Sequence, residues 1–144
     1  MKKWILFIIT AVFSLTGCYK ENNPNDEHFT ILGDIAQVSS LTAPSNSAVA
    51  NSEIELTVKL SVRNTTITSL QFYERLGTSG SYNATLLVPF IENFSEEERV
   101  FIMKVPYPIP DAVGKTLSIQ VEANTANELV SNRVTVSPNN IKIN

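Results

Sequence analysis

The 144-residue sequence contains only one cysteine, one histidine and one tryptophan. A single cysteine cannot close a disulfide within the chain or build a cysteine-based zinc site. Acidic residues outnumber basic ones by 14 to 11, and the formal net charge of −3 excludes the strongly basic surface of a typical nucleic-acid-binding protein. The sequence therefore describes a mildly acidic chain whose length suits one folded domain with a hydrophobic core of its own.

The first residues have the layout of a secretory signal. Lys2 and Lys3 supply positive charge, and residues 5–13 form an apolar run. A helix of that length, rising 1.5 Å per residue, covers less than half of the roughly 30 Å hydrocarbon core of a membrane. The run is too short to span a bilayer, so it predicts a cleavable signal peptide.

The end of this signal carries a specific motif. Leu15, Thr16, Gly17 and Cys18 follow the apolar run, and they resemble the lipobox of bacterial lipoproteins. The resemblance implies that the chain is cut between Gly17 and Cys18 and that a diacylglyceryl group is attached to the Cys18 thiol. We therefore expect a signal peptide over residues 1–17 and attachment to a membrane through lipid on Cys18, with no spanning segment.

A polar spacer is expected over residues 18–34, which are rich in Asn and charge and have little to bury. The residue directly after the cysteine is Tyr19 rather than Asp, and in this the chain resembles outer-membrane rather than inner-membrane lipoproteins. The charged pairs 20–21 and 26–27 resemble the export tags of surface lipoproteins from Bacteroidota. These resemblances imply a lipid-anchored protein of the bacterial outer membrane, and the charged tags favour exposure at the cell surface.

From residue 35 onward the pattern is that of β-strands. In residues 53–63 five aliphatic side chains alternate with polar ones, which is typical of a half-buried antiparallel strand. Two short stretches, 95–98 and 110–114, are expected to form loop turns. The seven predicted strands cover residues 35–42, 53–63, 66–76, 82–90, 99–105, 117–124 and 132–137. Seven short strands separated by polar turns predict an all-β sandwich.

The later half of this region resembles the Ig-like domains of Bacteroidota surface lipoproteins. The resemblance is carried by the strand 100–105, the proline-bounded loop 106–110, the strand that ends at Asn124 and the closing strand 133–137. It implies a single Ig-like antiparallel β-sandwich, which we expect over residues 35–144. The paired cysteines and core tryptophan of antibody domains are absent from the sequence.

Catalysis is not expected. The only histidine, His28, lies in the spacer, and Cys18 is expected to carry lipid, so no imidazole stands beside a nucleophile in a rigid pocket. Asp26, Glu27 and His28 are consecutive and cannot converge on one ion without a sharp turn. No phosphate-binding loop or metal-ligand spacing is present. We predict a protein without catalytic residues, metal or cofactor.

Glycan binding is an alternative that the tyrosines leave open. Sugar sites present exposed aromatic rings flanked by polar groups, and Tyr73, Tyr82 and Tyr107 are the candidate rings in the domain. Tyr73 follows Phe72 in a predicted strand, so if Phe72 is in the core, Tyr73 faces outward. The competing interpretation is that these tyrosines only make cross-strand contacts.

The sequence thus predicts a non-catalytic, lipid-anchored envelope or cell-surface protein that presents an Ig-like module for binding or assembly. Its expected partners are the membrane, through the N-terminal lipid, and a protein or a glycan, but not a nucleic acid. Two alternatives stay open. One is a small glycan-binding accessory lipoprotein of a carbohydrate-uptake system, and the other is a fimbrial or adhesin component joined by strand exchange through the alternating tail 140–144.

Overall fold

The computed structural model describes residues 35–144, and in this range the chain forms ten β-strands and no helix. The expected signal peptide, lipid site at Cys18 and spacer lie outside the described residues. No helix among residues 35–144 is long and apolar enough to cross a membrane. The strands are β1 (Ala36–Thr42), β2 (Ser47–Ala48), β3 (Glu53–Val62), β4 (Ile67–Leu76), β5 (Asn83–Pro89), β6 (Phe94–Ser95), β7 (Val100–Pro108), β8 (Thr116–Thr125), β9 (Val134–Thr135) and β10 (Ile141–Ile143).

These strands form two sheets. The smaller sheet has the order β1-β3-β7-β6, and the larger one has the order β2-β10-β8-β4-β5, with β9 also pairing with β8. All pairings are antiparallel except that of β10 with β2. With β9 and β10 taken together as the last strand, the smaller sheet has the A-B-E-D order of immunoglobulin-like sandwiches and the larger sheet contains the G-F-C order. The larger sheet has two further strands, β2 beside β10 and β5 beside β4. The predicted antiparallel β-sandwich is confirmed.

The core lies between the two sheets and follows the alternation in the sequence. On β3, Leu56, Val58 and Leu60 are fully buried, whereas Glu53 and Glu55 are exposed. Across the core, the rings of Phe72 on β4 and Tyr107 on β7 lie 5.9 Å apart between centroids. Every second side chain of a strand thus points inward, and the inward side chains of the two sheets pack on each other, as in a β-sandwich.

Strand β7 runs further than the sequence predicts. Residues 106–110 were expected to form a proline-bounded loop, but Pro106 and Pro108 continue β7 and lie opposite Glu55 and Glu53 of β3. On its other side, β7 pairs with β6 only at Val100 and at the residue after it. The Ile102 N–H still donates to the Asn93 carbonyl on that side. After Ile102, β7 is an edge strand among the described residues, and a proline, which has no N–H to donate, is tolerated there. The prediction of a strand end at residue 105 is therefore wrong.

One side of the sandwich is closed by contacts between the sheets. The Val38 N–H of β1 donates to Asn132 Oδ1 at 2.9 Å, and Asn132 Nδ2 donates back to the Val38 carbonyl oxygen at 2.9 Å. Nearby, the Ser137 N–H donates to the Leu41 carbonyl at 2.8 Å, and the Ala43 N–H donates to the Ser137 carbonyl at 3.0 Å. These bonds pair the outer strand of the smaller sheet with the chain that runs along β8.

On the opposite side, within residues 35–144, no backbone hydrogen bond joins the two sheets. In this range β5 pairs only with β4, and β6 pairs only with β7. We call this side, formed by β5, β6 and the connection between them, the open edge.

Candidate binding surfaces

Tyr73 lies on the outer face of the larger sheet, within a compact polar cluster. Its hydroxyl donates to Glu122 Oε1, and the Arg133 guanidinium lies over its ring at 3.8 Å from the centroid. Arg133 Nε and Nη2 both donate to Glu122 Oε2, at 3.0 and 2.8 Å. The hydrogen bond to the Glu122 carboxylate, together with burial, raises the pKa of Tyr73. Phe72 is fully buried, so the prediction that Tyr73 faces outward is confirmed.

Tyr82 belongs to a second arginine–tyrosine stack on the same face. The Arg75 guanidinium lies 4.7 Å from the centroid of the Tyr82 ring, and the Tyr82 hydroxyl is 2.8 Å from Ser118 Oγ. Arg75 on β4 lies opposite Ser118 on β8. In residues 35–144, Arg75 forms no ion pair, and its Nε is buried without a hydrogen-bond partner. The second stack therefore has a hydroxyl where the first has a carboxylate.

Tyr107 is a core residue, which corrects its assignment as an exposed sugar-binding ring. It is only 1% exposed. Because β7 continues through Pro106, Tyr107 keeps the inward register of Met103 and Val105. Its hydroxyl donates to Glu74 Oε2 at 3.0 Å and shares a 3.0 Å hydrogen bond with Thr85 Oγ1. A buried ring has no free face to offer a sugar.

The polar end of Tyr107 borders a cleft of about 260 Å³ between the two sheets. Burial is the main cause that raises the pKa of the Tyr107 phenol, and the Glu74 carboxylate adds to it, while the hydrogen bond with Thr85 acts in the opposite sense. The folded domain therefore keeps this proton at a pH where the unfolded chain, with a tyrosine pKa of about 10, has lost it.

We expect this difference to make the domain less stable in alkali. The contribution of Tyr107 is fully present below about pH 10 and is lost as the pH rises, so the free energy of unfolding should fall by up to about 1.4 kcal/mol per pH unit. Urea unfolding of wild type and Tyr107→Phe between about pH 9 and 11.5 measures this slope. Tyr73 is present in both proteins, so its own titration cancels. Equal slopes in the two proteins would contradict the prediction.

The outer face of the smaller sheet has a different character. Lys104 Nζ lies 2.8 Å from Glu55 Oε1, and Lys59 pairs with Glu98, in ion pairs whose side chains are each at least about one-third exposed. Exposed pairs of this kind contribute about 0–1 kcal/mol each. Glu53 is likewise exposed, so the carboxylates on the polar face of β3 are solvated. Nothing on this face singles out a ligand.

The open edge carries exposed apolar side chains that the sequence reasoning missed. Leu87 is 60% exposed, Ile91 70% and Phe94 45%. The Phe94 ring packs on the Phe101 ring with their centroids 5.1 Å apart. The Phe90 ring also contacts Phe101, at 5.7 Å between centroids. The signal in the sequence was the pair of large apolar residues at 91 and 94, placed among acidic and amide residues where no strand was expected.

Within residues 35–144, no three His, Cys, Asp or Glu side chains are grouped so that they could hold a metal ion. Neither protein-family models nor curated proteins give a match to the chain.

Proposed function

We propose that this protein is a non-catalytic lipoprotein of the bacterial outer membrane, anchored through Cys18, whose Ig-like domain docks a protein partner at the open edge. The lipobox-like motif that ends at Cys18 supports the anchor. The observation that carries the docking proposal is the free side of β5, which among residues 35–144 pairs with β4 alone.

A free strand edge presents unpaired N–H and C=O groups to which another strand can add. Natural proteins commonly protect such an edge with charged side chains. Between Asn83 and Pro89, β5 has no charged residue. Its protective features are a register shift against β4 at Thr85 and the proline at its end. Leu87 lies exposed on β5 itself, and Ile91 and Phe94 follow in the connection and in β6. The combination of free backbone and exposed apolar side chains suits a partner that adds an extended segment.

Charge indicates the chemistry of that segment. Glu92, Glu96 and Glu97 are exposed beside Ile91 and Phe94, and none of the three forms an ion pair among the described residues. Glu98 is already matched by Lys59. A partner strand with apolar side chains and flanking Lys or Arg residues complements this surface, because opposite potentials across an interface favour encounter and register.

Site-specific photo-crosslinking in the native host tests the docking proposal. A photoreactive residue at position 87 should crosslink to a discrete protein partner, and Leu87→Lys should abolish the product detected through a second photoreactive residue at position 91. The matched control is Gln37, an exposed residue of β1 on the closed side, which should give no such product. Equal crosslinking from positions 37 and 87, or none from 87, would refute docking at the open edge.

The anchor has a separate test. Wild-type protein should incorporate labelled palmitate and sediment with membranes, whereas Cys18→Ser should do neither, because the substitution removes the only thiol in the chain. Palmitate labelling that persists in Cys18→Ser would show that the lipobox interpretation is wrong.

A further inference from the structure

The two arginine–tyrosine stacks on the outer face of the larger sheet differ in one respect. Both place a guanidinium over a tyrosine ring, and in both the tyrosine hydroxyl is hydrogen-bonded to a residue of β8. In the first stack that residue is Glu122, whose carboxylate also neutralises Arg133. In the second it is Ser118, and no carboxylate in the described part of the chain neutralises Arg75.

Arg75 is held in place but has polar groups without partners. Among the described residues, none of its three guanidinium nitrogens has a hydrogen-bond partner. Nε is buried, whereas the two terminal nitrogens are not. The neighbouring Glu74 cannot serve, because it points to the other face of β4 and accepts a hydrogen bond from Tyr107. A cation–π contact fixes the guanidinium but satisfies none of its N–H donors.

We propose that Arg75 is the receptor for the carboxylate group of an acidic glycan, a sugar polymer that contains uronic acids. The terminal nitrogens of a guanidinium form a planar fork that matches a carboxylate with two parallel hydrogen bonds. Here the fork is positioned by the Tyr82 ring, so little freedom is lost on binding. The ligand supplies the carboxylate that Glu122 supplies in the first stack.

The surroundings favour a sugar over an acidic peptide. Both β4 and β8 are interior strands of the sheet, so their backbone groups are already paired and an extended peptide cannot add to them. This face carries the Tyr82 and Ser118 hydroxyls, which bond each other, and Gln120, which lies opposite Tyr73 and whose Nε2 donates to Thr135 Oγ1. The Gln120 carbonyl oxygen and the second lone pairs of the hydroxyls remain as acceptors. Groups of this kind read the hydroxyls of a sugar. The site is separate from the open edge and does not depend on docking there.

Affinity electrophoresis of the purified protein in gels containing polygalacturonate tests the proposal. The polymer should retard the wild-type protein, and its fully methyl-esterified form, which keeps the sugar but removes the negative charge, should not. Arg75→Gln should weaken binding at least about tenfold, as expected when a charge-assisted hydrogen-bonded pair is lost. Arg99→Gln, the same change at an exposed arginine before β7, is the matched control and should bind like wild type. Arg75→Lys keeps the charge without the planar fork and should not restore full binding.

Thermal unfolding of each variant verifies that it is folded, so that loss of binding is read as loss of the site. No retardation of the wild type by polygalacturonate, or equal weakening by Arg75→Gln and Arg99→Gln, would overturn the proposal. Fluorescence anisotropy with a glutamate-rich peptide provides the last comparison. Arg75-dependent binding of that peptide without binding of polygalacturonate would show that the ligand class is wrong.

Discussion

Removal of residues 141–144 is expected to leave the domain unfolded or only marginally folded. Ile141 and Ile143 of β10 are both completely buried between the sheets. Loss of a buried Ile side chain costs about 2–5 kcal/mol, so the two together approach the total stability of about 5–15 kcal/mol that is usual for a domain. Circular dichroism and thermal unfolding of the truncated protein measure the effect.

Lys142→Ala is the matched control, because Lys142 lies between the two isoleucines and is exposed. It should change stability by no more than about 0.5 kcal/mol. The truncation also bears on strand exchange through the tail 140–144. In the structure, β10 pairs with β8 and β2 of its own chain, so a truncated protein that stays fully folded but loses higher-order assembly would contradict the role of β10 described above.

The second large effect is expected at Tyr107. Tyr107→Ala should lower the free energy of unfolding by about 3–5 kcal/mol, because it opens a cavity beside Phe72 in the centre of the core. For a domain of this size the melting temperature should fall by roughly 15 °C or more.

Tyr107→Phe separates the ring from its hydroxyl. It keeps the packing and removes only the hydrogen bonds to Glu74 and Thr85, so it should cost about 1 kcal/mol. A loss in Tyr107→Ala as small as that in Tyr107→Phe would show that the ring does not pack in the core.

The sequence could predict the long strands because their evidence is local. Every second residue from Ile54 to Val62 is aliphatic, and burial on β3 follows that alternation. Phe72 and Tyr73 were correctly placed on opposite faces for the same reason. Strands β2 and β6 are two residues long, so they have no periodicity to detect. A proline can continue a strand where its missing N–H would face solvent, but not where it would face another strand. The sequence does not show which of these surrounds Pro106, so the predicted end of β7 comes too early.

The binding surfaces depend on partners that are distant in the sequence. Tyr73 contacts Glu122, which is 49 residues away in the sequence, and the hydrogen bonds between Val38 and Asn132 join residues that are 94 apart. Nothing in the local pattern around Arg75 shows that Glu74 is occupied by Tyr107 or that Ser118 lies opposite. The tail 140–144 was recognised as strand-like, but alternation alone does not say which strand it pairs with. Register and facing pairs are set by tertiary packing.

The closed side of the sandwich lies away from the open edge, and this matters for binding if the domain is tethered through its N-terminal segment. The described chain leads into β1 at Ala36, and β1 and β6 stand at opposite ends of the smaller sheet, separated by three strand spacings or about 14 Å. If the domain is tethered through the segment before β1, as proposed, a binder at the open edge would not compete for that strand. If the partner is held in the same membrane, docking at the open edge becomes effectively intramolecular at a high effective concentration. A weak strand pairing would then suffice to keep the partner bound.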